Sequence, residues 1–527
     1  MQSPKHTSAG SFSEFARTAD AITATTKRNE KSAILGEYFS SLSDADLAIA
    51  ARFFAGYIFP LWDQRTTNIG GSALLNAMSA VLDINRQDLV ARTVALGDLG
   101  DVAYEAFSSR QMKTPNANPR LADVAGSFEL IAATGGSKAK TAMLTELLSR
   151  CTSQEAKYVV KLLAGDLRIG LKEGSVEDAI SKLTGLAASD VQWANMLTGD
   201  IGETALLARL GALSEARMRL FHPLKFMLAT PAADLEDVAR HMPARFFVED
   251  KFDGIRAQAH IARVASDEPD KHGTVVDGVR VALFSRTLDE ITESFPDLVR
   301  PLAAIASIAE RGAEGRAGEG AGDRHGSAVV LDGEIVPQKN GQILPFLELQ
   351  KRLGRKRPAP EILESVPAGY RVFDVLYDGG RVLINEPLSV RRSALESLWM
   401  SSAEVRRADS RLVEGTAELD DEFTAARARG NEGLMVKSPE SIYKPGRRGR
   451  DWLKIKRAAN SLDVVVTAVE VGNGRRSHLL SDYTFAVKAS ETDGTLLNVG
   501  KAYSGLTDAE LTELSAWFRE HTIKEFA

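Results

Sequence analysis

The 527-residue chain has a single cysteine, Cys151. Disulfides within the chain are therefore excluded, and so is any cysteine-rich zinc module. No run is long and apolar enough to span a bilayer, and the opening MQSPKHTSAGSFSEFARTAD lacks the basic start and apolar core of a signal peptide. A soluble, intracellular, cytoplasmic chain that meets no membrane is expected. Positive charge is not in excess: 65 Lys and Arg against 71 Asp and Glu leave a net charge of -6, which argues against a wholesale polycation. Neither an internal repeat nor a coiled-coil heptad run is present.

What is there fits ordinary soluble domains, with 44% apolar and 26% charged residues. The length exceeds what one hydrophobic core organises, so roughly two to four domains are expected. From about residue 11 to 215, SDADLAIAARFFAGYIF, SALLNAMSAVLDI, TAMLTELLSRC and SVEDAISKLTGL repeat apolar residues at helical spacing behind Ser, Thr or Asp N-caps. This predicts an all-α domain over 1–215. Near 222 the texture changes to short β-rich runs such as ARFFVEDKFDGIRAQAHIA, VRVALFSRT, AVVLDGEIVP and YRVFDVLYDGG, with helices interleaved. An α+β domain over 216–458 is expected. Two Gly- and charge-rich stretches, 266–278 and 310–327, read as mobile surface loops. From about 459, LDVVVTAVEVGNGRR, YTFAVKA and LLNVGKAYSGL read as strands of a small β-barrel closed by the helix DAELTELSAWFREH, giving a third domain over 459–527.

The stretch FFVEDKFDGIRAQAH places Lys251 among Glu249, Asp250 and Asp253 inside strand-like flanks. A lysine amine attacks only when deprotonated, which apolar surroundings or neighbouring cations promote. If it attacks phosphorus, the developing charge needs cations, and Mg²⁺ needs oxygen ligands. The chain offers Glu334 in VVLDGEIV, Glu432 in GNEGLMVK, and the cations Lys437, Lys454 and Lys456. Taken singly, each has an ordinary reading: a charged turn at Lys251, a hairpin turn at Glu334, a loop at Glu432, core at Phe373, a half-buried strand at WLKIK. The basic clusters KRLGRKRP at 351–358 and KPGRRGRDWLKIKR at 444–457 are, as charge runs go, solvated surface first and a polyanion footprint second.

In order along the chain, VEDKFDGIR, LFSRT, LDGEIV, VFDVLY, EGLMVK and WLKIK resemble the lysine nucleotidyltransferases, and most closely the ATP-dependent DNA ligases. PLKFMLA resembles the element preceding the nucleotide pocket, while FFAGYIFP and LLAGDLRIGLKEGSVEDAI resemble the helical DNA-binding domain of three-domain members. The likeness runs from roughly residue 11 to past 500. It implies a multidomain fold: an all-α DNA-binding domain, an adenylation domain of antiparallel sheets, and a C-terminal OB-fold barrel.

It further implies that Lys251 attacks the α-phosphate of ATP and carries AMP, that Glu249 reads the adenine and that Phe373 stacks on it. Arg256 and Glu334 are implied to contact ribose and nearby phosphate, Arg286 to engage phosphate, Arg448 to contact nucleotide, and Lys454 and Lys456 to grip the α-phosphate. Glu334 and Glu432 are implied to hold Mg²⁺. Nicked double-stranded DNA is the implied substrate, clamped by a monomer, with Arg168 and Lys172 of GDLRIGLKEGS as candidate phosphate contacts beside Gly-rich turns. Family members continue into a final basic motif of the form R-x-D-K, whereas this chain ends at HTIKEFA. The corresponding expectation is a truncated OB domain and slow or absent charging of Lys251, with sealing of already adenylylated nicks retained. Arg475 and Arg476 are nearby cations with no feature that makes them substitutes. Among alternatives, an NAD⁺-dependent ligase is excluded by the cysteine count, RNA ligases and capping enzymes leave the helical region unexplained, and an inert nick-binding clamp leaves the retained charged residues unexplained.

Overall fold

The structure, a computed structural model, describes residues 10–109, 119–264, 272–313, 328–400, 402–456, 462–490 and 493–525. Helices succeed one another from Phe12 to Arg209. Their ends follow local chemistry. Ser43 accepts from the Asp46 amide at the start of Asp44–Phe54, Thr152 and Glu155 form a reciprocal capping box at Ser153–Leu163, and left-handed Gly185 ends Glu173–Thr184. The helices pack around an aromatic centre of Phe12, Phe15, Phe39, Phe53, Phe54, Phe128 and Tyr158. Phe15 and Phe54 lie with ring centroids 4.5 Å apart.

Two sheets follow. The first is five-stranded, in the order Leu228–Pro231, Arg448–Ile455, Gly433–Lys437, Arg245–Lys251, Ser410–Glu414. The second is eight-stranded, its main path running Val405–Arg407, Ala368–Asp378, Val329–Lys339, Ile255–Arg263, Val279–Ser285, Thr274–Val276. Helices Leu235–His241 and Leu419–Ala428 cover one sheet through Val238, Leu419 and Phe423, and the helix Pro296–Ala313 covers the other through Leu298 and Leu302. Between the sheets, Leu224, Met227, Val330, Leu376, Tyr443 and Trp452 form a smaller core that floors the cleft described below.

The expected antiparallel sheets need correction: each has one parallel edge pair, Leu228–Pro231 with Arg448–Ile455 and Val405–Arg407 with Ala368–Asp378. The second pair is a strand, helix, strand crossover through Leu388–Ser397, the connection a parallel pair requires. The loop expected over 266–278 is also corrected in part. Residues 266–271 lie outside the described residues, but Thr274–Val276 pairs with Val279–Ser285 around Asp277 and Gly278, both at positive φ. That Asp-Gly pair is a tight hairpin signal in the sequence itself. Of the stretch 310–327, residues 310–313 continue the helix Pro296–Ala313 and residues 314–327 lie outside the described residues.

Beyond residue 461, Val465–Val471, Leu480–Lys488 and Leu496–Ala502 form a three-stranded antiparallel meander. The helix Asp508–Glu520 packs on it through Leu511 and Phe518, started by a Thr507–Glu510 capping box. Among the described residues, no helix is long and apolar enough to cross a membrane.

Candidate nucleotide site

Lys251 ends the strand Arg245–Lys251. Alternation sends Phe246 and Val248 into the core and places Phe247, Glu249 and Lys251 on the opposite face. The adjoining strands continue that face in register: Met435 lies opposite both Glu249 and Lys454, and Lys437 opposite both Phe247 and Trp452. Glu432, just before its strand, donates its backbone N–H to the Lys251 carbonyl at 2.8 Å. WLKIK behaves as alternation requires, with Leu453 and Ile455 buried while Lys454 and Lys456 face the cleft.

The second sheet closes the cleft from the other side. Arg256 and Glu334 are direct cross-strand partners. Phe373 sits where the register between Val329–Lys339 and Ala368–Asp378 slips, Asp332 pairing with Asp374 but Gly333 with Val372. A bulge re-aims the side chain it carries, which brings Phe373 to the cavity in a strand buried on either side of it from Ala368 to Leu376. Asp374 next to it is locked by Arg391, with Nε–Oδ1 at 2.8 Å and both side chains fully buried. Gly254 allows the approach of the two sheets, since a Cβ there would lie 2.2 Å from the Ile335 carbonyl.

The cleft holds a cavity of about 420 Å³. Glu249, Lys251, Glu432, Arg448, Lys454 and Lys456 line it from one sheet and its flanks, and Arg256, Arg286, Glu334 and Phe373 from the other. Lys437, Met435 and Trp452 complete the wall. Of these, Lys437 was legible only as one cation among several, while Met435 and Trp452 carried no signal beyond their strand positions. Arg168 and Lys172 are not brought here. They lie on the helical region, where Arg168 is engaged by Asp166 at 2.8 Å and by the Gly97 carbonyl at 2.6 Å. Arg476 pairs with Asp508 at 2.7 Å, also away from the cavity.

Charge in the cleft is arranged in pairs. Glu432 Oε2 lies 2.7 Å from Lys251 Nζ and also accepts from Lys456. Burial works against ionisation of Glu432, but Lys251 and Lys456 outweigh it and hold its carboxyl down at about 2. Asp253 moves the other way, raised by burial and by its hydrogen bond with Glu432. Burial pushes the Glu334 carboxyl up to about 8, against the pull of Lys251 and Arg256. Burial and then the charges of Lys456, Lys251, Arg448 and Arg286 lower the Lys454 ammonium, so these cations converge on one spot. Such a spot wants an anion of several charges.

Two further contacts set the walls. Lys437 Nζ meets Glu249 Oε2 at 2.6 Å, both buried, and stands 4.5 Å from the Phe373 ring centroid. Arg256 is forked on Asp332, 3.1 Å for Nε–Oδ1 and 2.7 Å for Nη2–Oδ2, and donates to the Met227 carbonyl at 2.6 Å. Tyr443 also donates to Asp332 at 2.6 Å. Asp332 lies 76 positions after Arg256 and 111 before Tyr443, so only the fold joins the three. Among the described residues, no three His, Cys, Asp or Glu side chains gather into a metal cage. The carboxylates fit Mg²⁺ nonetheless, an ion that keeps waters and takes one or two protein carboxylates beside substrate phosphates.

A strand-end lysine in a cleft of cations and carboxylates, between two facing sheets and behind a helical region, is the architecture of a nucleotidyltransferase. Residues 226–456 match the family model described as ATP dependent DNA ligase domain, and residues 11–181 the one described as DNA ligase N terminus. The chain belongs to the ATP-dependent DNA ligase family. It is similar to a probable DNA ligase of Koribacter versatilis, 42% identical over 96% of this chain and 85% of the relative. A DNA ligase of Archaeoglobus fulgidus is 31% identical, over 96% of this chain and 86% of that one. The fold is shared with the solved structure Pmar-Lig_Pre, at 16% identity and a TM-score of 0.57 over 96% of this chain and 91% of that chain.

Proposed function

We propose that this protein seals nicks in duplex DNA with ATP, carrying AMP on Lys251. The observation that carries the proposal is Lys251 Nζ beside Glu432 inside the cavity where Arg286, Arg448, Lys454 and Lys456 converge. In the resting state Glu432 pairs with the Lys251 amine at 2.7 Å. Once its proton has passed to water, the amine attacks the α-phosphorus, and Glu432 and Glu334 would hold a divalent ion that offsets phosphate charge when bound. An N–P bond forms, the α–β bridging P–O bond breaks, and pyrophosphate leaves. Lys454 and Lys456 neutralise the charge on the α-phosphate oxygens.

Glu249 reads the adenine, its carboxylate anchored by buried Lys437 at 2.6 Å. Phe373 supplies the stacking face, and Arg256 with Glu334 holds ribose and nearby phosphate. An oxygen of the nick's 5′-phosphate then attacks the adenylyl phosphorus, breaking the N–P bond and returning the lysine. The 3′-hydroxyl attacks the activated 5′-phosphorus, AMP departs, and the strand is continuous. Mg²⁺ supplies Lewis-acid stabilisation of phosphoryl charge when bound.

In this reading the chain divides at 1–215, 216–458 and 459–527. The last unit is part of an OB-type barrel, supported by its antiparallel meander and packed helix. Arg168 and Lys172 contact DNA phosphates after Arg168 exchanges its present partners, and the protein works as a monomer in the cytoplasm. Incubation with α-labelled ATP and Mg²⁺ tests the proposal. A covalent adduct lost in Lys251→Ala supports it. No adduct, together with no sealing of pre-adenylylated nicks, leaves only a nick-binding clamp.

A further inference from the structure

The turn that follows the strand Val279–Ser285 carries Arg286 into the cavity. It is closed by the Ser285 amide donating to the Asp289 carbonyl at 2.8 Å and the Leu288 amide donating to the Ser285 carbonyl at 2.8 Å. Leu288 takes φ +70, a left-handed conformation that a leucine adopts only when its surroundings impose it. One thing that imposes it comes from the helical region. The Gln64 amide donates to the Leu288 carbonyl at 3.0 Å and accepts from the Glu290 amide at 2.7 Å, clasping the backbone as a neighbouring strand would.

Gln64 is itself held firmly. The Leu61 amide donates to the Gly199 carbonyl at 3.0 Å, and the Trp62 ring stacks on His222 with centroids 4.7 Å apart. The opposite rim of the cavity also touches the helical region, but through side chains: the Arg447 guanidinium, one residue before Arg448, donates to the Gln192 amide oxygen. Only at the Arg286 turn, of these two, does the helical-region glutamine hold the main chain itself. Among the described residues, no glutamine lines the cavity itself.

We propose that Gln64 is a positioning residue for Arg286, so that the docked helical region holds the nucleotide site in its working shape. The inference rests on the reading of Arg286 as a phosphate ligand. Removing the clasp frees Leu288 to leave its left-handed state, and the turn then samples conformations with Arg286 outside the cavity.

The test uses the full chain as wild type, Gln64→Ala, Arg286→Ala and the double variant. Three rates are measured: Lys251–AMP formation with labelled ATP, AMP transfer to a nick, and sealing of pre-adenylylated nicks. The expected result is that Gln64→Ala slows the same step or steps as Arg286→Ala, by roughly fivefold to tenfold. The double variant is then no slower than Arg286→Ala, and the melting temperature of Gln64→Ala stays near that of wild type. Equal slowing of every step, or slowing that multiplies in the double variant, overturns the inference, since a merely structural contact behaves that way. A normal Gln64→Ala beside an impaired Arg286→Ala overturns the inference alone. A fully active Arg286→Ala overturns the phosphate role and the inference together.

Discussion

Glu432 and Lys251 are joined twice, by an ion pair of 2.7 Å between Oε2 and Nζ and by a backbone hydrogen bond of 2.8 Å from the glutamate amide to the lysine carbonyl. The backbone link fixes the glutamate where its side chain both restrains the amine and offers oxygen to a cation. Replacing Glu432 by Gln keeps the backbone link and removes the charge. Adduct formation on Lys251 is expected to fall roughly 10²-fold, with a higher Mg²⁺ requirement, read by titrating the ion in the labelled-ATP assay. The side chains of Lys251 and Glu432 are only 20% and 25% exposed, so the lost charge leaves a largely buried amine without this partner, and a lower melting temperature without nucleotide is expected beside the loss of adduct.

Glu334 makes folding pH-dependent. Its carboxyl is pushed up to about 8 in the folded chain, from an ordinary value of 4.5. Between those values the folded state keeps a proton that the unfolded state has lost, so stability falls as pH rises through that window. Glu334→Gln should remove this fall, measured as melting temperature against pH without nucleotide. An unchanged pH profile in the variant would contradict the assignment.

Phe373 is expected to act on nucleotide affinity and hardly on turnover. Stacking of a base on an aromatic ring contributes about 1–3 kcal/mol. Phe373→Ala should therefore raise the ATP concentration for half-maximal adduct formation about tenfold or more, with Phe373→Tyr close to wild type. A fall in maximal rate at unchanged half-saturation would argue that the ring is core only.

Arg352 belongs to the folding of the second sheet and its helix, although it sits in a run that reads as a basic surface. It is fully buried, forks onto Asp297 at 2.8 and 2.9 Å and donates to the carbonyls of Ser294 and Val366. Arg352→Met leaves those acceptors unpaired and should cost about 3–5 kcal/mol. The expected signature is a melting temperature lowered by several degrees with the salt dependence of DNA binding unaltered. Its exposed neighbours Arg355 and Lys356 should show the reverse when changed to Ala.

Local chemistry determined much by itself. Helical periodicity with N-cap residues marked the region ending at Arg209, and period-two alternation marked WLKIK and the flanks of Lys251, because those signals depend only on neighbours in the chain. The ordered motifs also named the residues that line the cavity, from Glu249 to Lys456. What they left out is which of those residues hold one another. The Glu432–Lys251 and Lys437–Glu249 pairs, the Asp332–Tyr443 clamp on Arg256 and the Gln64 clasp on Leu288 join residues from 111 to 224 positions apart. Such partners meet only through sheet register and domain docking, where desolvation and packing select the pairing. A charged run therefore looks alike in sequence whether its arginine faces water, as Arg355 does, or is sealed beneath a helix like Arg352.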